Sequence, residues 1–571
     1  MRDINKELAP LFDPKSVAVI GASNRWNKWG FSTFTSVLNG YKGKVYPVNH
    51  SEDIVVGKRA YKTVLDIPDN EPLDLAVFVV PSTVVPGVME DCVKKGVKAA
   101  VIISAGFAEI GEEGRKLQDE VISIAQKGNI RFIGPNCMGY YSASSELRAF
   151  MFPFPIVPGP IGFVTQGGNV GGAIVTAASS RNIGFHRYIS CGCTADIQME
   201  DYIESFGNDP EIKVILAYIE GVKDGERFME KVGKVTRKKP VIVLKPGKTN
   251  AAMDAIRSHS GSIAGSNDIW NSVFKKAGII RAETPDELLD LAVGFLVQPL
   301  PKGKNVAIMT PGGSYGVLCA DACASRGLKV AKLSDDTIDK FDKIFPPRWS
   351  RGNPVDPAGD RNFTAYLKAP EMLLELDDID SLIFMGFDGF SSFPSLISSI
   401  DKKFVKSFKT MLQPLVDRNN TGKGDAPDDD YEKSKIGRLI RSLLFMFFSV
   451  FGTSTKEDIN AFAKQLTSLV TSEFVDPSLF YTFSQLINIT DLDDIDDQTV
   501  ERLLNSFQPL LEALIVKWMH DFEKPVITTS FTEESTSLKG GTFYSFSSGT
   551  KAAIVLSKLV EYSEYLKRAA G

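Results

Sequence analysis

Histidine is scarce: the chain has four in 571 residues. His50, His186 and His520 stand in ordinary surroundings, which isolates His259. Cysteine is nearly as sparse. Cys92, Cys137, Cys191, Cys193, Cys319 and Cys323 are scattered. Neither Cys191-Gly-Cys193 nor Cys319/Cys323 has a second ligand pair nearby, which argues against zinc, so no metal site is expected. In a cytosolic chain these are reduced thiols. Positive charge is not in excess. The net charge of −5 leaves no footprint for nucleic acid. Long apolar runs are missing too. The most apolar window, Leu439–Phe451, is about 13 residues against the roughly 20 that span a bilayer. The N-terminus, MRDINKELAPLFDP, lacks the apolar centre of a secretory signal. A cytoplasmic protein without a membrane span is expected.

What is present is a long, balanced, globular composition, 43% hydrophobic and 24% charged. Its length calls for three to four domains at roughly 100–200 residues each. Over residues 1 to about 145, apolar runs at Val17–Ile20, Lys44–Val48, Leu75–Val80, Ala99–Ile103 and Arg131–Ile133 alternate with helical stretches such as Val84–Lys95 and Glu113–Lys127. Continuous apolar runs are strands buried on both faces, so the pattern predicts a doubly wound α/β domain. Ligands of such sheets sit at the carboxyl ends of the strands. Those ends carry Gly21-Ala22-Ser23-Asn24, Pro81-Ser82, Ser104-Ala105-Gly106-Phe107 and Gly134-Pro135-Asn136-Cys137. The first turn is not G-x-G-x-x-G, and the second strand ends in Asn49-His50 with no acid for a ribose, which disfavours a nicotinamide cofactor. Lys28, Lys42 and Lys44 lie nearby and suit extra phosphate charge. The plain alternative is a set of tight βα turns.

Pro153–Pro160 reads as a linker. Ile161–Val164 then runs into Thr165-Gln166-Gly167-Gly168-Asn169 and a helix, whose open amide groups suit an anion. Strand Val214–Ile219 ends in Glu220-Gly221, and strand Val241–Leu244 precedes AIRSHSGSIAG, residues 255–265. A glycine turn, a carboxylate and a histidine are thus directed to one edge. The carboxylate is a candidate to fix the imidazole tautomer. The competing reading is a solvated histidine, a capping glutamate and a packing turn. From residue 301, Asn305–Met309 leads into Thr310-Pro-Gly-Gly-Ser-Tyr-Gly316 and helix Val317–Arg326, followed by strands at Lys329–Leu333, Ser381–Met385 and Pro525–Thr528. Between about 401 and 520 the apolar spacing turns helical, as in Leu503, Leu504, Phe507, Leu510, Leu511 and Leu514. Leu439–Phe451 is read as the core of this insertion, with a docking surface as the alternative.

The order GAS(N), SAGFAE, GPNCMG, TQGG, YIEG, SHSGSIAG, PGGSYGV and NPVD resembles the NDP-forming acyl-CoA synthetase superfamily. It is most similar to the α subunit of ADP-forming acetyl-CoA synthetases and more distantly to the succinyl-CoA ligase α subunit. The resemblance covers residues 1 to about 390 and resumes at Lys524–Thr528. It implies three Rossmann- or flavodoxin-like parallel-sheet domains: 1–145 binding coenzyme A, 146–300 carrying a phosphohistidine, and 301–571 used for assembly, with the helical insertion at about 401–520. It implies that Gly21, Ala22, Ser23, Asn24, Lys28, Pro81, Ser104, Ala105, Gly106 and Asn136 serve coenzyme A. Gln166, Gly167, Gly168, Ser260 and Gly261 would hold phosphate. His259 would be phosphorylated and Glu220 would steady it. The implied reaction interconverts acyl-CoA, ADP and phosphate with a small carboxylic acid, CoA and ATP. The pattern departs twice, at Gly167-Gly168-Asn169 for S-G-A and at Ser190-Cys-Gly-Cys193 for S-x-G-N. No stretch resembles an ATP-grasp domain, and no G-x-x-x-x-G-K-[ST] loop is present. A partner ATP-grasp β subunit in an α2β2 assembly is therefore expected to hold Mg2+ and ADP or ATP. The alternative is a non-catalytic CoA or acyl-CoA scaffold.

Overall fold

The computed structural model describes residues 3–254, 266–360, 362–386, 440–441, 456–470, 472, 474–475, 497–530 and 540–570. The chain forms two compact units, Met1–Leu296 with Tyr565–Gly571, and Val297–Glu564. Mostly parallel sheets flanked by helices make up both.

The first unit opens with a helix that the sequence pattern did not announce. Helix α1 (Ile4–Phe12) is capped by the Asp3 carboxylate and buries Ile4, Leu8, Leu11 and Phe12. Their spacing is one helical face. Five strands then form an all-parallel sheet: β1 (Ser16–Ile20), β2 (Lys44–Val48), β3 (Leu75–Phe78), β4 (Ala99–Ile102) and β5 (Arg131–Ile133), in the order β2-β1-β3-β4-β5. Helices α2 (Trp29–Leu38), α3 (Val85–Lys95) and α4 (Glu112–Lys127) are its crossovers. Strands β1, β3 and β4 are buried along their whole length, as their Val, Ile and Ala runs require. Arg131, at the start of β5, ties α1 to a later loop through Glu7 at 2.5 Å and Asp196 at 2.8 Å.

A second sheet of seven strands follows. Its strands are β6 (Gly139–Ser142), β7 (Leu147–Phe150), β8 (Pro158–Thr165), β9 (Phe185–Ser190), β10 (Val214–Tyr218), β11 (Val241–Leu244) and β12 (Ile280–Ala282), in the order β12-β11-β10-β8-β9-β6-β7. The β6–β7 hairpin lies on both sides of the boundary expected at 145, and β8 begins within the expected linker. Both differences have one cause. Tyr140, Tyr141, Ala149 and Phe150 are all buried, so this hairpin closes the sheet rather than linking two domains. Helices α5 (Gly168–Ser180), α6 (Met199–Asn208), α7 (Gly225–Thr236), α8 (Asn267–Ala277) and α9 (Pro285–Val297) accompany this sheet.

The second unit holds a third parallel sheet: β13 (Asn305–Met309), β14 (Lys329–Val330), β15 (Ser381–Met385), β16 (Val526–Thr529) and β17 (Ser545–Phe546), in the order β14-β13-β15-β16-β17. β14 stops short of the expected Leu333, because Ser334 caps helix α10 (Asp335–Asp342) through the Thr337 amide. The Asn353 side chain of the NPVD motif accepts from Ile308 N and donates to the Val306 and Ala331 carbonyls at 2.8–2.9 Å. In the span read as an insertion, the described residues include helices α11 (Lys456–Val470) and α12 (Asp497–Phe522). Leu466, Leu469, Leu510, Leu514 and Trp518 are buried in one core with Leu382 and Phe384. Of Leu439–Phe451, only Ile440, fully buried, and Arg441 are described; the rest lies outside the described residues, as do the side chains of Leu503, Leu504 and Phe507. Among the described residues no helix is long and apolar enough to cross a membrane.

One packing constraint positions the first ligand-facing turn. Gly30, in the first turn of α2, sits against the Gly21 carbonyl so closely that a Cβ would lie 1.8 Å from that oxygen. Gly30→Ala is expected to destabilise the protein by about 1–3 kcal/mol. A lower urea midpoint than wild type is the measurement that checks it.

Candidate active site

Parallel register brings the site together. Thr165 of β8 pairs with Tyr218 of β10, Tyr218 with Leu244 of β11, and Leu244 with Ala282 of β12. Four strands therefore end in line, and the residues that follow them share one edge. Those residues include Gln166-Gly167, Ile219-Glu220-Gly221 and Lys245-Pro246.

Gln166 joins two of these ends. Its Oε1 accepts from the amides of Glu220 and Gly221 at 2.6 and 3.1 Å, and its Nε2 donates to the Gly221 carbonyl at 2.8 Å. Its own N–H donates to the Tyr218 carbonyl at 3.1 Å. The side chain assigned to phosphate is thus committed to holding the Glu220 turn. The open amides of the glycine turn are those of the first turn of α5, whose N-cap is Gly167. Both glycines answer to close neighbours: a Cβ on Gly167 would lie 2.9 Å from the Tyr218 ring, and one on Gly168 would lie 2.5 Å from Met138 Sδ. Thr165 Oγ1 closes the turn by donating to the Gly167 carbonyl at 2.9 Å. Glu220 is 5% exposed. Burial, and then the carboxylate of Glu220 to which it hydrogen-bonds, push the Tyr218 hydroxyl up to about 12.

A cavity of about 1810 Å³ runs from the strand ends of the first sheet to this edge. Of the residues expected to face coenzyme A, Gly21, Ser23, Lys28, Pro81, Ser104, Ala105 and Asn136 line it. Ala22, Asn24 and Gly106 do not; they build the wall instead. Ala22 is fully buried and its carbonyl accepts from Asn49 Nδ2 at 2.7 Å. Asn24 is spent on the Ile54 carbonyl and the Val56 amide at 2.7 and 2.8 Å. Gly106 has φ +104° and donates its N–H to Glu109 at 2.6 Å. Gln166, Gly167, Gly168 and Glu220 line the other end of the cavity. His259, Ser260 and Gly261 lie outside the described residues.

Several lining residues were missed by sequence reasoning. His50, taken as ordinary, stands at the cavity beyond the end of β2. Glu109 was inside the quoted SAGFAE motif but was given no role. Lys223 gave no sequence signal; burial pushes its ammonium down, and it donates to the Thr194 carbonyl at 2.8 Å. Cys193, one of the two departures from the pattern, lines the cavity near Glu109, with its Sγ 3.7 Å from Oε2. Among the described residues no group of three or more His, Cys, Asp or Glu is arranged to hold a metal ion.

Three family models match: a CoA binding domain over residues 15–143, a succinyl-CoA ligase like flavodoxin domain over 158–295, and a Ligase-CoA domain over 306–417. The α subunit of acetate–CoA ligase [ADP-forming] II of Pyrococcus furiosus is 44% identical over 372 residues, 65% of this chain and 80% of the relative. The chain belongs to the ADP-forming acyl-CoA ligase family. The 4-hydroxybutyrate–CoA ligase [ADP-forming] of Nitrosopumilus maritimus is 34% identical over 81% of this chain and 68% of the relative. The acyl-CoA ligase fold is matched by acetyl-coenzyme A synthetase 1 of Ca. Korarchaeum cryptofilum in complex with phosphate and ADP. That match has TM-score 0.62 and 36% identity, over 66% of this chain and 81% of that chain.

The environment of Cys193 yields a chemical prediction. Burial, reinforced by the Glu109 carboxylate, pushes its thiol up to about 12. Only the thiolate is alkylated, so at pH 7.5 Cys193 is expected to react with iodoacetamide at least roughly 100-fold more slowly than a free cysteine. Glu109→Gln removes one of the causes and is expected to speed the reaction. Mass spectrometry of the Cys193 peptide over time measures both rates.

Proposed function

We propose that this chain is the α subunit of an ADP-forming acyl-CoA ligase that uses His259 as a phosphoryl carrier. The observation that carries the reading is the continuous cavity. It joins the strand ends of the CoA-binding domain to the amide turn and carboxylate of the flavodoxin-like domain.

The reaction follows from what lines that space. Coenzyme A lies along Gly21, Ser23, Pro81, Ser104, Ala105 and Asn136, with Lys28 near its phosphates. The thioester then reaches the first turn of α5, where the amides after Gly167 hold inorganic phosphate. A phosphate oxygen attacks the thioester carbonyl, the C–S bond breaks, and CoA leaves as a thiolate that takes a proton. The acyl phosphate passes its phosphoryl group to the imidazole of His259: an N–P bond forms, the P–O bond breaks, and the carboxylate departs. Glu220 accepts from the other ring nitrogen and fixes the tautomer. Amide dipoles carry the equatorial charge of the transferring group.

The second transfer, from His259 to ADP, belongs to a partner. Relatives named as α subunits support this. So does the acetate–CoA ligase [ADP-forming] of Methanocaldococcus jannaschii, 44% identical but matched over only 49% of its length. We assign ADP or ATP with Mg2+ to an ATP-grasp β subunit in an α2β2 assembly. The relatives act, by name, on acetate and on 4-hydroxybutyrate. The substrate class here is a small carboxylic acid.

The test uses acetyl-CoA and radiolabelled phosphate with the full chain. Acid-labile, base-stable label is expected on His259, and none on His259→Ala, which retains CoA binding. Glu220→Gln is expected to slow labelling about 100-fold. An unlabelled wild type that still binds CoA would instead favour the non-catalytic scaffold.

A further inference from the structure

Glu220 is not the only buried charge at the edge of the second sheet. Lys245, the residue after β11, is 4% exposed. Because Tyr218 pairs with Leu244, Lys245 follows at the level of Ile219, next to Glu220. The ammonium donates to the Pro246 carbonyl at 2.7 Å and lies 5.1 Å from the centre of the Trp270 ring. Two nearly inaccessible groups of opposite charge thus stand on neighbouring strand ends. Neither is affordable in isolation, since a buried charge costs several kcal/mol unless compensated.

We propose that Lys245 is a positioning residue for Glu220: its ammonium compensates the buried carboxylate and pins the Pro246 turn, from which the chain continues toward His259. The inference rests on the functional reading above. Lysine is suited to this place because its stem packs on Trp270 while its head reaches past the strand end.

The charges around Lys245 define a pH dependence. Arg281 of β12 and Glu220 beyond the end of β10 act on it, and Glu283, the residue after β12, pairs with Arg281 and Lys248. Burial pushes Lys245 down to about 8, Arg281 adds to the push, and Glu220 opposes it. Below that value the ammonium is present. Above it Glu220 loses its compensating cation, and phosphorylation of His259 slows.

The experiment follows labelling of His259 from acetyl-CoA and radiolabelled phosphate across pH 6–10 (about the working range of such assays). Wild type is expected to show an alkaline limb near pH 8. Lys245→Met is expected to label roughly 10–100-fold more slowly. Lys245→Arg restores the charge, so it is expected to keep the rate and lose the limb. In a Glu220→Gln background, Lys245→Met is expected to cost nothing further, because its target is gone. Wild-type labelling by Lys245→Met, an unmoved limb in Lys245→Arg, or additive losses in the double variant would each overturn the proposal. CoA affinity of Lys245→Met reports whether it folds; where it does not, the Lys245→Arg limb decides. A wild type that takes no label overturns the functional reading itself, a result distinct from all of these.

Discussion

The first unit depends on one side chain bridging two strands. The Gln166 side chain makes three hydrogen bonds with the backbone of Glu220 and Gly221, accepting two and donating one. A carboxylate at the end of a strand is otherwise free to swing with its loop. Here the loop is held to the neighbouring strand by a rigid planar amide, and the Glu220 carboxylate is left pointing where Tyr218 can donate to it. The glycine turn beside it has no slack either, since Tyr218 and Met138 sit within 3 Å of where side chains would begin. The scaffold itself thus fixes the Glu220 turn against the strand that carries the amide turn.

That economy explains which parts of the site were legible in the sequence. Strand runs such as Val17–Ile20 and Val241–Leu244 announce buried parallel strands, and parallel strands force their ends to one edge. Glu220 and the Gln166 turn were found because they directly follow such runs. What the spacing could not reveal is whether a side chain faces the ligand or the scaffold. Gln166, Asn24, Ala22 and Gly106 carry the right chemistry for a ligand, yet hydrogen bonds and close packing bind them to the wall. Lys245 and Lys223 escaped notice for the opposite reason. A lysine after a strand looks solvated until tertiary packing buries it.

The same logic accounts for the fold elements that were missed. Helix α1 has a good apolar face, Ile4, Leu8, Leu11 and Phe12, but its nine residues were read for a targeting signal rather than for periodicity. The β6–β7 hairpin was hidden because the expected boundary divided it. Its buried aromatic and small residues only make sense once β9 stands beside β6 in antiparallel register. Nothing local in Gly139–Phe150 says which sheet it joins.

The third glycine turn shows why the chemistry follows the site and not the fold. In the second unit Thr310 Oγ1 donates to the Gly312 carbonyl at 2.9 Å, as Thr165 does to Gly167 in the first. Both turns follow a central parallel strand and open a helix. The resemblance stops at the residues that act. Pro311 stands where Gln166 stands, so no amide can clamp the next strand end. A different carboxylate stands at this turn: Asp356 Oδ2 lies 3.0 Å from where a Cβ on Gly313 would begin. The two turns share their backbone chemistry and differ in the side chains beside it, Gln166 and Glu220 at the first and Pro311 and Asp356 at the second.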